Sequence, residues 1–178
     1  AINALETYRK SVTMSAQLAG VKAAADLVVD TSSLSGPELR RKIDSAFGDG
    51  DADSIRVTVE SFGFKYGLPM DADVVCDVRF LPNPHWVPEL RPHTGQDDDV
   101  RNYVLSRDGA QDYLQTYHRL LELTTAGYRR EGKRYMTIAV GCTGGKHRSV
   151  AMSEALAARL ETDPTLAVHV AHRDLGRE

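Results

Sequence analysis

Tyr135-Met136-Thr137-Ile138-Ala139-Val140-Gly141-Cys142-Thr143-Gly144-Gly145-Lys146-His147-Arg148-Ser149-Val150-Ala151 is the stretch on which the fold turns. Its first six residues are almost all apolar, the pattern of a central strand covered on both faces. A glycine-rich turn follows, and from about Lys146 to Glu161 the apolar spacing is helical, with Val150, Ala151, Ala155, Leu156 and Leu160 available to pack on a sheet. At the start of such a helix the backbone amides have no intrahelical acceptor, and the helix dipole adds partial positive charge. Gly144 and Gly145 let an anion approach that backbone, Lys146 and Arg148 add full charge, and Thr143 and Ser149 can donate hydroxyl hydrogen bonds. The Arg148 guanidinium can grip two oxygens of one phosphate. Cys142 and His147 lie in the same turn, so residues 142–149 together form the candidate anion-binding loop.

Working outward, Ile55-Arg56-Val57-Thr58-Val59 alternates apolar and polar residues and continues to Phe64, and Val74-Val75-Cys76-Asp77-Val78-Arg79-Phe80 reads as a second strand. Pro82, Pro84 and Pro88 force an irregular loop after it. Residues 97–106 and 110–130 carry helical spacing, and Leu166 to Val170 reads as the last strand. The fold class is α/β, with a mostly parallel sheet flanked by helices and a phosphate-binding strand-loop-helix. Upstream, Asp26-Leu27-Val28-Val29-Asp30 reads as a short buried strand, and Ser35-Gly36-Pro37-Glu38 opens a helix through about Phe47. That βα unit has no strand to pair with before the cluster Gly48-Asp49-Gly50-Asp51, a linker or loop. Two parts are therefore expected, residues 1–50 and residues 51–178.

The chain has 178 residues; 42% are hydrophobic and 26% charged, enough to bury a core, which excludes a disordered or collagen-like chain. No apolar run approaches the roughly 20 residues of a membrane helix, and the N-terminus lacks the features of a signal peptide. No membrane partner and a cytoplasmic location are expected. The first residue is Ala, which suggests a processed chain or an excised piece. Cys76 and Cys142 lie far apart without a CxxC pair, against a disulfide framework or a structural zinc site. A formal charge of -3 leaves nucleic-acid binding to a local patch. Residues 129–148 provide one, with six Lys or Arg against one Glu. Arg129, Arg130, Lys133 and Arg134 are its RNA candidates, joined by Arg173 near the C-terminus.

The loop is not a Walker A motif: three residues rather than four separate Gly141 from Gly145, and His147 follows the lysine. Cys142 and Arg148, with five residues between them and Ser149 next, match the spacing of the cysteine-phosphatase loop, in which a thiolate attacks phosphorus. Cys142 and Arg148 are therefore the alternative catalytic pair, with Asp77 or Asp97-Asp98-Asp99 as candidate acids. The three acids also suit a solvated helix cap. Ligands of open α/β sheets bind beyond the carboxyl ends of the strands, which makes Arg79 and His85 candidate ligand contacts. Asp77 and Arg79 could equally pair with each other. His169 and His172 would point to opposite faces of a strand, so no metal site is expected there.

Ser61-Phe62-Gly63-Phe64-Lys65, Asp77-Val78-Arg79-Phe80-Leu81-Pro82-Asn83-Pro84-His85-Trp86, Arg91-Pro92-His93-Thr94-Gly95 and Gly141 to Ser149 occur in one order. Together they closely resemble the C-terminal domain of the RapZ/YvcJ family of RNase adapter and nucleotide-binding proteins, over about residues 55 to 178. Ala25 to Ser32 and Glu38-Leu39-Arg40 resemble the end of that family's N-terminal P-loop NTPase domain, whose Walker motifs are absent here. The resemblance implies ATP or GTP as cofactor of the full-length protein and none in this segment. It also implies a C-terminal domain that senses a phosphorylated amino sugar and binds small RNA, with a regulatory protein as another open partner. By resemblance the sugar-phosphate pocket involves His85, Thr143, Gly144 and Arg148, with Arg79 nearby. A homo-oligomer is expected. RNA-binding members carry a strongly basic tail, whereas this chain ends His172-Arg173-Asp174-Leu175-Gly176-Arg177-Glu178.

Overall fold

The chain divides into two units, Ala1–Ala52 and Asp53–Glu178. The computed structural model describes residues 54–177 and, ahead of them, Thr31, Ser35, Gly36, Leu39 and Ile43. In the first unit Gly36, Leu39 and Ile43 are helical, and the Leu39 amide donates to the Ser35 carbonyl at 3.0 Å, as expected for a helix opening at Ser35. The strand expected at residues 26–30 lies outside the described residues.

In the second unit the elements are β1 (Ile55–Gly63), a 3-10 turn (Phe64–Tyr66), β2 (Val74–Asp77) and a second 3-10 turn (Pro84–Trp86). They are followed by α1 (Asp98–Leu105), α2 (Ala110–Arg130), β3 (Tyr135–Cys142), α3 (Arg148–Leu160) and β4 (Leu166–His172). The four strands form one sheet in the order β2-β3-β1-β4, and every pairing is parallel. The crossovers β2 to β3 and β3 to β4 both step in the same direction across that order. Right-handed connections therefore deliver their helices to the same face. The burial of β1 agrees: Ile55, Val57 and Val59 are buried, whereas Arg56 is exposed and Thr58 and Glu60 are half-buried. The core between this face and the helices includes Met136, Ile138 and Val140 of β3 and Ala151, Met152 and Leu156 of α3.

Three expectations change. Covering of β3 on both faces holds only at its carboxyl end, because Tyr135 is exposed and Thr137 half-buried on the second face. There Ala139 is buried and Phe62 and Phe64 stack edge-on with ring centroids 4.8 Å apart. The Arg79 guanidinium lies 3.9 Å from the Phe64 ring centroid and that of Arg173 lies 5.5 Å from Phe62. Secondly, β2 stops at Asp77 rather than Phe80. The Val78 amide still bonds the Gly141 carbonyl at 2.9 Å, but the carbonyls of Arg79 and Leu81 turn toward Arg148. Thirdly, α3 starts at Arg148 rather than Lys146, because His147 has φ -106 and ψ -81, outside the helical region.

The C-terminal segment is fastened by one carboxylate. Asp174 is fully buried and accepts from the Gly63 amide at 2.8 Å, from Arg173 Nη2 at 2.7 Å and from Arg177 Nη1 at 2.9 Å. Burial pushes its pKa up, but the hydrogen bonds from Arg173 and Gly63 outweigh burial and hold it below the ordinary carboxylate value. With the folded-state pKa below the unfolded one, this contribution is complete above about pH 4 and is lost as pH falls through the folded value. Asp174→Asn should therefore lower stability to urea at pH 7 by about 2 kcal/mol. The difference from the parent should shrink in acid below pH 4, a trend read from denaturation midpoints.

Candidate functional site

The carboxyl ends of β1 and β3 meet where Gly63 pairs with Cys142, and the loop 143–147 rises directly from that edge into α3. Two glycines set how closely it rises. A Cβ on Gly63 would fall 2.7 Å from the Gly144 carbonyl carbon and 2.9 Å from the Gly145 nitrogen. Gly145 has φ +78, and a Cβ there would lie 2.8 Å from the Gly63 nitrogen. The loop backbone thus packs on the strand backbone with no room for a side chain. The Lys65 amide adds a tie to the Thr143 carbonyl at 3.2 Å, and the Gly95 amide holds the Lys146 carbonyl at 2.9 Å.

Arg148 organises the site. It is 5% exposed, and its Nη1 donates to the carbonyls of Arg79 at 2.8 Å and Leu81 at 2.9 Å. Nη2 donates to Thr143 Oγ1 at 3.2 Å, and Nε is buried without a hydrogen-bond partner. Burial lowers the Arg148 pKa from its ordinary value, with the nearby charge of Asp77 opposing. Nη1 is saturated by carbonyls and Nε is closed off from solvent, so Nη2, with one N–H beyond its bond to Thr143, is the part of the guanidinium with a donor to spare. Thr143 is exposed and, having accepted from Nη2, keeps its hydroxyl proton for an incoming acceptor.

The other loop residues divide by role. Cys142 is 3% exposed; its sulfur accepts from the Gly145 amide at 3.3 Å and lies 3.1 Å from Ser149 Oγ. Ser149 is fully buried, so its hydroxyl serves the thiol and not the solvent side. His147 is buried, with Nε2 3.2 Å from the Arg91 carbonyl, and its ring centroid is 6.5 Å from that of His85. His85 itself is exposed. Lys146 and Gly144 are half-buried. Sequence reasoning passed over Lys65 as a ligand group. Its Cε and Nζ lie 3.8 Å from where a Cβ on Gly144 would be, placing an ammonium beside the open face of the loop. The signal was its position two residues after the β1 glycine that packs on the loop.

The candidate acids of the phosphatase alternative are engaged elsewhere. Asp77 pairs with Arg79, with Nη2 to Oδ2 at 2.6 Å, and this hydrogen bond holds its carboxyl below the ordinary value. Asp97 accepts from the Thr94 amide at 2.7 Å and hydroxyl at 2.9 Å; Asp98 pairs with Arg101 and Asp99 with His93. The three acids therefore shape the entry to α1. The other thiol, Cys76, is buried, and burial pushes its pKa up to about 12. His172 bonds Ser61 Oγ at 2.9 Å and Glu154 at 3.0 Å, while His169 is exposed.

The basic strip of residues 129–148 does not form one surface. Arg129, Arg130, Lys133 and Arg134 lie where α2 ends and β3 begins, and Lys146 and Arg148 lie beyond the other end of β3, about 25 Å away along an eight-residue strand. Lys133 is paired with Asp73, and Arg129 bonds Thr165 Oγ1. Arg134 is half-buried, and only Arg130 of the four is exposed. Arg173 is engaged by Asp174 and by the Gly67 carbonyl at 2.7 Å.

Residues 55–176 match the profile of the RapZ C-terminal domain. The chain belongs to that family. It is 78% identical over 162 residues to a nucleotide-binding protein of Rhodococcus jostii, covering 91% of this chain and 53% of the relative. It is 69% identical over 163 residues to a nucleotide-binding protein of Mycobacteroides abscessus, covering 92% and 54%. For one from Mycolicibacterium smegmatis the identity is 68% over 163 residues, with 92% and 56% covered. The chain thus spans about half the length of the curated relatives it matches. Among the described residues no helix is long and apolar enough to cross a membrane.

In this RapZ C-terminal domain the glycine contact predicts a measurable asymmetry. Gly145→Ala combines a positive φ with a backbone clash and should cost about 2–4 kcal/mol. Gly132→Ala has φ +72 but nothing within 4 Å, and should cost only about 1–2 kcal/mol of backbone strain. Thermal denaturation of the two variants checks the difference.

Proposed function

We infer that this domain is the ligand-sensing part of a RapZ-type regulator, holding a phosphorylated small molecule of the amino-sugar phosphate class at the 141–149 loop without cleaving it. The observation that carries this reading is the buried Arg148 guanidinium at the start of α3, fixed through Nη1 to the Arg79 and Leu81 carbonyls with Nη2 turned to the exposed Thr143 hydroxyl. A phosphate oxygen bound at Nη2 and Thr143 would add a charge-assisted hydrogen bond worth about 1.5–3 kcal/mol. Thr143, the Gly144 backbone, Lys146, Lys65 and the start of α3 supply the remaining donors and charge, with Arg79 and His85 at the rim. Cys142 is only 3% exposed and the candidate acid Asp77 is tied to Arg79, which supports holding over thiol attack.

Residues 1–50 are, in this proposal, the end of an N-terminal nucleotide-binding domain, and ATP or GTP hydrolysis belongs to the full-length protein. The curated relatives named as nucleotide-binding proteins support that assignment. The output is a small RNA or a regulatory protein, acting on a homo-oligomer in the cytoplasm. Arg130 is exposed and, with the Lys65 side of the loop, forms the cationic surface proposed for RNA, whereas Lys133 and Arg173 pair with Asp73 and Asp174.

Calorimetric titration with glucosamine 6-phosphate tests the site. Thr143→Ala, an exposed substitution, should weaken binding about five- to tenfold through one lost hydrogen bond. Arg148→Lys keeps the charge but loses the fork, and should weaken it by about 10–100-fold. Unchanged affinity in both would remove the loop as the site. If RNA binds, its affinity should fall as salt rises, and a salt-independent constant would exclude contact through the phosphate backbone.

A further inference from the structure

Beside the loop stands the most exposed aromatic side chain among the described residues. Trp86 is the single tryptophan of the chain and is 75% exposed, yet the turn beneath it is held at every residue. Asn83 Oδ1 accepts from the His85 amide at 3.3 Å, the Trp86 amide donates to the Asn83 carbonyl at 3.1 Å, and the Val87 amide donates to Pro84 at 2.9 Å. Arg91 Nε donates to the His85 carbonyl at 2.9 Å. The backbone under the indole is already ordered, so covering the ring costs only its own rotamer freedom, and it has a large face to offer. Its ring meets His85 edge-on at 5.2 Å, and His85 lies 6.5 Å from His147, the residue that precedes Arg148. A row of aromatic rings thus leads from the anion loop to the exposed indole.

Resting on the function inferred above, we propose that this row is the second half of the ligand site, and that Trp86 is a specificity-determining residue for the body attached to the phosphate. The chemical class is a phosphomonoester joined to a ring with a broad apolar or π face. A pyranose offers such a face in its C–H bonds, and a nucleobase in its π system. Both stack on indole, whereas inorganic phosphate has nothing to place there. The loop supplies the charge recognition, and Trp86 with His85 distinguishes a ring-bearing ester from the bare anion.

The experiment titrates the full chain with inorganic phosphate, glucosamine 6-phosphate and adenosine 5′-monophosphate by calorimetry, with the fluorescence of Trp86 as a second readout. At least one ring-bearing ester should bind ten times or more tighter than phosphate and change the indole emission; which one does so identifies the ring as sugar or base. Trp86→Ala should bring that ester to within about threefold of phosphate and leave phosphate itself unchanged, while Trp86→Phe should keep most of the preference. If phosphate binds but neither ester exceeds it, or if Trp86→Ala retains the preference, the role of Trp86 is overturned and the loop site survives. If none of the three binds the parent protein, the loop site falls and this proposal falls with it.

Discussion

The two hydrogen bonds from Arg148 Nη1 to the carbonyls of Arg79 and Leu81 are the interaction on which the site depends. They fasten the first residue of α3 to the segment that leaves β2, so the helix start and the proline-containing loop become one unit. They also end β2 early, by drawing the carbonyls after Val78 away from any ladder. A buried guanidinium is costly to desolvate, and charge-assisted bonds to two carbonyls compensate only part of that cost. Nε is left buried without a partner, which adds to that cost.

Around that anchor the fold works by exclusion of side chains. Gly63 and Gly145 bring strand and loop backbones into direct contact, and Asp174 then reaches the Gly63 amide from the C-terminal segment. A Cβ on Gly145 would stand 3.0 Å from the Cβ of Asp174, so the loop, the end of β1 and the C-terminal segment share one packed point. Lys65 reaches the loop because β1 passes into its 3-10 turn at that same point. Rigid support on one side leaves the open side of the loop, with Thr143 and Gly144, as the part that a ligand can reach.

How much of this was legible in the sequence follows from the range of the signals. The apolar run 135–140, the glycine turn and the helical spacing after it are local, and they placed β3, the loop and α3 to within two residues. The family motifs placed Arg79, His85 and the 142–149 loop in one neighbourhood, where the structure has them. What could not be read was the direction of individual side chains. Spacing made Ser149 a donor to an anion, but its burial turns it to the Cys142 sulfur. Composition made residues 129–148 one basic strip, although a strand runs through its middle and separates its two ends. Covering of β3 on both faces was expected from apolar content, whereas the strand order sends both helical crossovers to one face and leaves Tyr135 in solvent.

The same geometry bears on whether the loop holds an anion or cleaves it. Attack by sulfur requires a thiol that faces the bound phosphorus and an acid near the leaving oxygen. Cys142 has the spacing of such a nucleophile, but it lies below the surface with its sulfur between the Gly145 amide and the Ser149 hydroxyl. Asp77, the last residue of β2, is bound side-on by Arg79, which in turn lies over Phe64. The thiol fills the space under the loop and accepts from the Gly145 amide, which ties the loop to the end of β3. In the proposed sensing role the loop gains its selectivity from binding alone, and the charges at its rim and the rings of His85 and Trp86 beside it decide what it holds.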